Sequence, residues 1–391
     1  MTDQPTVYLD HAATTPMVDV AVEAMTERLR VVGNASSLHG SGREARRVVE
    51  ESRERIARAL GARPGEVVLT TGGTEADNLA VKGLFWSRRD QDGRRTRVLA
   101  SAIEHHAVLD ALEWLAEREG ATVELVGVDA FGRLDLEELR ARVEADPASV
   151  ALISVMWANN EVGTVQPVEQ VVALAGEHGI PVHSDAVQAV GAVPVDFAAS
   201  GLDALSLTAH KLGGPYGVGA LVVRREVALV PLLHGGGQER QVRSGTLDVP
   251  AVAAFAAAVE HAVKEQPHHA DRLSQLRDDL VARVLEVAPD ARLNGDPEHR
   301  LPGYAHLSFP GCEGDSLLML LDHHGIECST GSACSAGVPQ PSHVLLAMGR
   351  DEAEARSSLR FTLGRTTRPS DVDALVAAIG PAVERARAAN R

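Results

Sequence analysis

A chain of 391 residues is long enough for two domains and a large core, and with aromatic residues at only 3% that core must be mostly aliphatic. A net charge of −16 argues against a general nucleic-acid or anionic-membrane surface. No apolar run reaches membrane-spanning length and no signal-peptide pattern opens the chain, so a cytoplasmic location is expected.

In chain order, residues 7–10 read as a short strand and His11 to Pro16 as a turn-rich loop. Helical spacing covers 18–30 and again 41–60, where Ala45, Val48, Val49, Ile56 and Leu60 share one face and Gly61 closes the helix. Residues 66–80 read strand, paired glycines, helix. A helix N-terminus after Gly72-Gly73 offers free N–H groups to a phosphate, and a plain tight turn fits the same residues. The spacing is not that of a Walker A loop.

The alternation continues with strands at 98–100, 123–128, 150–156, 180–185, 205–208 and 219–224, and with helices at 108–118 and 168–178. Asp135 and Glu138 form a capping box for a further helix. Strands alternating with helices predict a large three-layer α/β domain with a mostly parallel sheet, in which ligands gather beyond the carboxyl ends of the strands. Thr74, His105, Asn160, Asp185 and Lys211 all fall at or just past such an end. A glycine-rich segment, 234–246, is expected to be a flexible or close-approach loop. Beyond it an alanine-rich helix over 251–263 leads into a polar stretch and a smaller α/β domain. The expected division is 14–259 for the large domain, and 1–13 with 260–391 for the small one.

Lys211 stands out because arginine fills nearly every other cationic position; Lys82 and Lys264 are the remaining lysines. Arginine cannot form a Schiff base and lysine can. A turn lysine and a Schiff-base lysine both fit this segment on its own. Pyridoxal 5′-phosphate, the cofactor such a lysine would hold, needs a phosphate cradle, a carboxylate for its pyridinium nitrogen and a group over its ring. Gly73, Thr74, Thr208 and His210 are candidates for the first, Asp185 for the second and His105 for the third. Each has an ordinary structural reading taken singly; together they share one end of the sheet.

The three cysteines, Cys312, Cys328 and Cys334, are too few and odd in number for a disulfide framework, and fit a reducing compartment. Small residues flank Cys334 on both sides, as suits a mobile nucleophilic thiol. Cys328 reads as a strand residue. No second Cys/His pair of suitable spacing accompanies the cysteines, so no metal site is expected.

The chain resembles the cysteine desulfurases of the iron–sulfur-assembly and tRNA-thiolation type, class V aminotransferase-like enzymes of pyridoxal-phosphate fold type I. The resemblance rests on Tyr8-Leu9-Asp10-His11-Ala12-Ala13-Thr14-Thr15-Pro16, Thr71-Gly72-Gly73-Thr74-Glu75, Glu104-His105-His106-Ala107-Val108-Leu109 and Asn159-Asn160-Glu161-Val162-Gly163. It continues through Asp185-Ala186-Val187-Gln188, His210-Lys211, Arg243-Ser244-Gly245-Thr246, Ser332-Ala333-Cys334 and Ser358-Leu359-Arg360-Phe361, all in the family's order.

It implies a homodimer that converts L-cysteine to L-alanine, keeps the sulfur as a persulfide on Cys334, and passes it to an acceptor protein. Lys211 would carry the cofactor and move the Cα proton, and His105 would stack on the ring and assist. Asp185 would pair with the ring nitrogen and Gln188 with the phenolic oxygen. Gly73, Thr74, Thr208 and His210 would hold phosphate, with Thr246 reaching the partner subunit's phosphate. Asn160 and Arg360 would hold the substrate carboxylate. The cysteine segment is similar to that of the long-loop, housekeeping subgroup. Thr208 stands where the family often has serine. The chain ends soon after a helix over 372–389, without the longer tail some members use near a scaffold partner, so scaffold docking and tRNA thiolation both stay open. Selenocysteine lyases and other class V enzymes share the same frame and form the alternative.

Overall fold

The structure, a computed structural model, describes residues 6–331 and 340–389. Strand β1 (Val7–Tyr8) stands apart from the main sheet. That sheet comprises β2 (Val67–Thr70), β3 (Arg97–Ser101), β4 (Thr122–Val126), β5 (Val150–Ser154), β6 (Val182–Asp185), β7 (Ala204–Thr208) and β8 (Gly219–Val223). Their spatial order is β2-β8-β7-β6-β5-β3-β4. Neighbours run parallel except β8, which is antiparallel to both β2 and β7. Every residue of β5, β6 and β7 is buried, as expected for parallel strands covered on both faces.

The helices that cover the sheet are α1 (Asp19–Thr26), α2 (Gly40–Ala59), α3 (Gly73–Gln91), α4 (His106–Glu119), α5 (Leu136–Ala145), α6 (Val168–Gly176), α7 (Phe197–Ser200) and α8 (Val249–Val287). One apolar layer joins α3 and α4 to the sheet through Leu79, Leu84, Phe85, Val108 and Leu112. The opposite layer joins α2, α5, α6 and the first half of α8 through Val49, Ile56, Leu139, Val171 and Phe255. These are the three layers expected from the alternation of strands and helices. The capping box at α5 forms only by half. Asp135 accepts from the Glu138 N–H at 2.9 Å, but the Glu138 carboxylate turns to the Gly127 N–H, at 2.7 Å, and to Arg142. The Asp135 N–H that a full box would use donates instead to the Gly127 carbonyl at 3.0 Å.

A second body of structure contains β9 (Arg292–Asn294), β10 (Tyr304–Ser308), β11 (Ile326–Glu327) and β12 (Ser358–Thr362), with α9 (Gly314–His323), α10 (His343–Ala347), α11 (Glu352–Arg356) and α12 (Pro369–Ala389). Its antiparallel sheet runs β12-β10-β9. Strand β1 pairs in parallel with β11, and Asp10 bridges to Thr362, so the first residues of the chain belong to this body. Its core gathers Leu9, Leu280, Leu307, Leu317, Phe361 and Ile379.

The two bodies share α8. The alanine-rich run and the polar stretch after it form one 39-residue helix that continues through Pro267, well past the 251–263 helix read from the sequence. Its first half buries Val252, Phe255 and Val259, and its second half Leu280 and Val284. Packing at both ends carries the helix past a proline that removes one hydrogen bond.

The glycine-rich segment 234–246 is irregular but anchored. Glu239, 2% exposed, receives both terminal nitrogens of Arg53 at 2.7 Å and the Leu69 N–H at 2.8 Å. Positive φ falls on Arg240 (53°) and Gln241 (63°) as well as on Gly237 and Gly245. Among the described residues no helix is long and apolar enough to cross a membrane.

Candidate active site

Strand β7 delivers Lys211. Its buried residues end at Thr208, one 3-10 turn over Ala209–Lys211 follows, and Gly213 at φ +76° reverses the chain. A Cβ on Gly214 would meet the Ala209 Cβ at 2.8 Å, so the turn closes directly beneath the lysine. The Lys211 ammonium donates to the carbonyls of Ala12 and Ala13, the latter at 2.7 Å. Burial, helped by Arg360, pushes its pKa down from 10.5 to about 8. At pH 7 about a tenth of such amines are neutral, against about one in three thousand at the ordinary value.

Strand β6 ends on Asp185, whose carboxylate accepts from the Val187 N–H at 2.8 Å. Burial raises its pKa, opposed by His105 and Lys211. Behind it lie two further buried carboxyls. Asp77, from α3, is 1% exposed, and burial and the nearby Asp185 drive it well up. Glu104 accepts from the Met156 N–H at 2.6 Å and is also driven well up by burial. Three buried anions this close repel one another, so protonation of the rear pair is the stable arrangement. His183, two residues before Asp185 on the same face, is pushed down to about 3 by burial, and its neutral ring bridges Ser154 and Ser206.

His105 caps α4. Its Nδ1 accepts the Ala107 N–H at 3.1 Å, which fixes the ring in the mouth of the cleft. The surrounding protein lowers its pKa, with Lys211, His106 and His343 adding to the effect. On the opposite flank, α3 begins at Gly73, where a Cβ would meet Val187 Cγ2 at 2.9 Å, so only glycine leaves that approach open. Thr74 opens the same helix, Thr208 ends β7, and the His210 ring stacks on Tyr216. Burial, then Lys211, pushes His210 down to about 4, so the ring is neutral near pH 7.

Gly73, Thr74, His105, Asn160, Asp185, Gln188, Thr208, His210, Lys211 and Arg360 all line one cleft of about 340 Å³. Thr246 does not. It is exposed on the segment between Gly245 and α8. Arg360, from β12, is 5% exposed, donates to Asp10 at 2.7 Å and to the Asn160 carbonyl at 2.8 Å. The Gln188 amide donates to the Ala12 carbonyl at 3.1 Å and accepts from the Tyr304 hydroxyl at 2.5 Å.

Ser329 and Gly331 complete the rim. Cys334 lies outside the described residues. Cys328 sits one residue past β11 and not within it, with its thiol pushed up to about 12 by burial, and Cys312 is buried near α12. Among the described residues no group of His, Cys, Asp and Glu is arranged to hold a metal ion.

Four of the cleft's features fit pyridoxal 5′-phosphate: a helix N-terminus with two hydroxyls for phosphate, a buried carboxylate at the far end, an amine of lowered pKa between them, and a ring at the mouth. Asp10, Asp77 and Tyr304 were not assigned roles from sequence. Asp10 and Asp77 lie within or beside the quoted motifs, and their meaning depends on long-range partners. Nothing local marks Tyr304.

The family model for aminotransferase class V matches residues 7–375. The chain is 57% identical over 383 residues to an IscS-like cysteine desulfurase of Mycobacterium tuberculosis, covering 98% of this chain and 97% of that protein. It is 41% identical over 386 residues to the cysteine desulfurase NifS of Azotobacter vinelandii, covering 97% and 93%. A solved NifS-like protein superposes with a TM-score of 0.90 at 36% identity, over 97% of this chain and all of that one. With a fold, a cleft and relatives in agreement over nearly its whole length, the chain belongs to the class V aminotransferase family, in its cysteine desulfurase branch.

Proposed function

We propose that this cysteine desulfurase works with pyridoxal 5′-phosphate held in the described cleft and keeps the substrate's sulfur on Cys334. The observation that carries the reading is the convergence of Lys211, Asp185, His105 and the α3 N-terminus on one cavity. When bound, the cofactor supplies an electron sink for charge developing at the substrate Cα. Lys211 would hold it covalently through Nζ, and its amine would take the Cα proton of the substrate. Its lowered pKa suits both tasks. Asp185 holds the ring-nitrogen proton, His105 stacks on the ring and assists proton movement, and Gln188 hydrogen-bonds the phenolic oxygen. Gly73, Thr74, Thr208 and His210 bind phosphate in one copy. The exposed Thr246 reaches the phosphate of the second, which makes the enzyme a homodimer. Asn160 and Arg360 orient the substrate carboxylate, for which a guanidinium fork is suited.

The bookkeeping needs no outside oxidant. The Cβ–S bond of L-cysteine breaks and an S–S bond forms on Cys334, so a thiol and L-cysteine become a persulfide and L-alanine. The persulfide passes to an acceptor protein in iron–sulfur assembly or tRNA thiolation, in the cytoplasm. Residues 14–259 form the cofactor-binding domain, and 1–13 with 260–391 the domain that carries Cys334. The test is the Cys334→Ser enzyme. Its cofactor absorbance stays, while persulfide formation and sulfide release with reductant fall to background. Wild-type sulfide release from that variant overturns the assignment to Cys334. Transfer of the amino group to pyruvate without sulfide would overturn the activity.

A further inference from the structure

Asp10 already occupies part of the Arg360 guanidinium, the expected anchor of the substrate carboxylate. It follows β1, and its Oδ1 accepts from a terminal nitrogen of Arg360 at 2.7 Å. The other terminal nitrogen donates to the Asn160 carbonyl, and Arg360 Nε meets no acceptor. The Arg360 main chain exchanges hydrogen bonds with Ser329 at 2.6 and 3.2 Å, so the side chain is held from below. A guanidinium has five N–H donors. A carboxylate arriving from the cleft therefore meets terminal N–H donors that Asp10 and Asn160 leave unused, but on a cation whose charge the half-buried Asp10 carboxylate already offsets.

Resting on the reading of Arg360 as the carboxylate holder, we propose that Asp10 is an internal competitor for the substrate carboxylate, keeping amino-acid binding weak enough for the product to leave. Two anions on one cation repel. The substrate carboxylate persists from binding through the reaction, so Asp10 weakens the ground state and the transition state alike. Removing its charge then lowers KM without raising the chemical rate. Asp10 also raises the Lys211 pKa. A ligand lacking only the carboxylate controls for that second effect.

The test compares L-alanine with ethylamine, which differs from it by the carboxylate alone. Each is titrated calorimetrically into the holoenzyme and, separately, used to inhibit turnover of L-cysteine. In Asp10→Asn, L-alanine binding tightens by about tenfold, the order expected when one like charge leaves a partly buried site, while ethylamine binding stays close to that of the wild type. Asp10→Glu, which keeps the charge, retains the wild-type ratio. Weaker or unchanged L-alanine binding in Asp10→Asn overturns the proposal, as does tightening by both variants alike. If the wild type itself fails to prefer L-alanine over ethylamine, the assignment of Arg360 falls. If the wild type discriminates and Asp10→Asn does not change the ratio, only the role of Asp10 falls.

Discussion

The two walls of the cleft manage charge in opposite ways. On the wall built by the large sheet, burial works against charge: Asp77 and Glu104 are driven towards their protonated forms, His183 and His210 stay neutral, and the Lys211 pKa is drawn down to about 8. On the wall built by β1 and β12, charge is kept and paired, in the Arg360–Asp10 contact. The first wall suits proton transfer, which needs groups close to their pKa. The second suits recognition of an anion, which needs a permanent cation in a fixed direction. The contrast teaches that one cavity serves chemistry and selection by drawing its walls from separate sheets.

If the division is right, losses on the first wall fall on turnover and losses on the second on substrate affinity. The largest effect is expected for Lys211→Ala, which should lose turnover by at least about a thousandfold together with the covalent cofactor absorbance. Retained absorbance with ordinary turnover would place the cofactor elsewhere. Arg360→Lys comes next. It exchanges a fork for a point charge and gives up one or more charge-assisted hydrogen bonds of ~1.5–3 kcal/mol, so KM for L-cysteine should rise about 10- to 100-fold with a smaller change in kcat. A fall in kcat alone would erase the contrast between the walls.

The mildest test is the pH dependence of cofactor uptake by cofactor-free protein. The attacking species is the neutral Lys211 amine, and the folded pKa lies below the ordinary value, so uptake should rise about tenfold per pH unit up to about 8 and then level. Continued rise to pH 10 would mean the amine is not depressed.

Much of the first wall was legible in the sequence because each of its residues is set by a local event. A buried strand ends, the chain turns, and the next polar residue faces the cleft, as at Thr208 to Lys211 and at Asp185. The second wall was only half legible. Arg360 belongs to a recognisable motif, but its partner Asp10 is 350 positions away. The glycine-rich segment read as a flexible or close-approach loop from its composition; which of the two applies depends on Glu239, which ties it to Arg53 across 186 positions. The alanine-rich helix read only as far as 263, yet packing at both ends carries α8 on through Pro267 to Val287.

By itself, then, the sequence determined the alternation of strands and helices, the positions of the strand ends and the residue types waiting there, because periodicity and turn chemistry act over a few residues. The tertiary structure decided which of those ends meet, which carboxyls lie close enough to hold protons, and which arginine already has a carboxylate. Those are properties of distance and burial in space: α3, β3 and β6 of the large domain bring the carboxyls together, and the meeting of β12 with the residues after β1 gives Arg360 its partner.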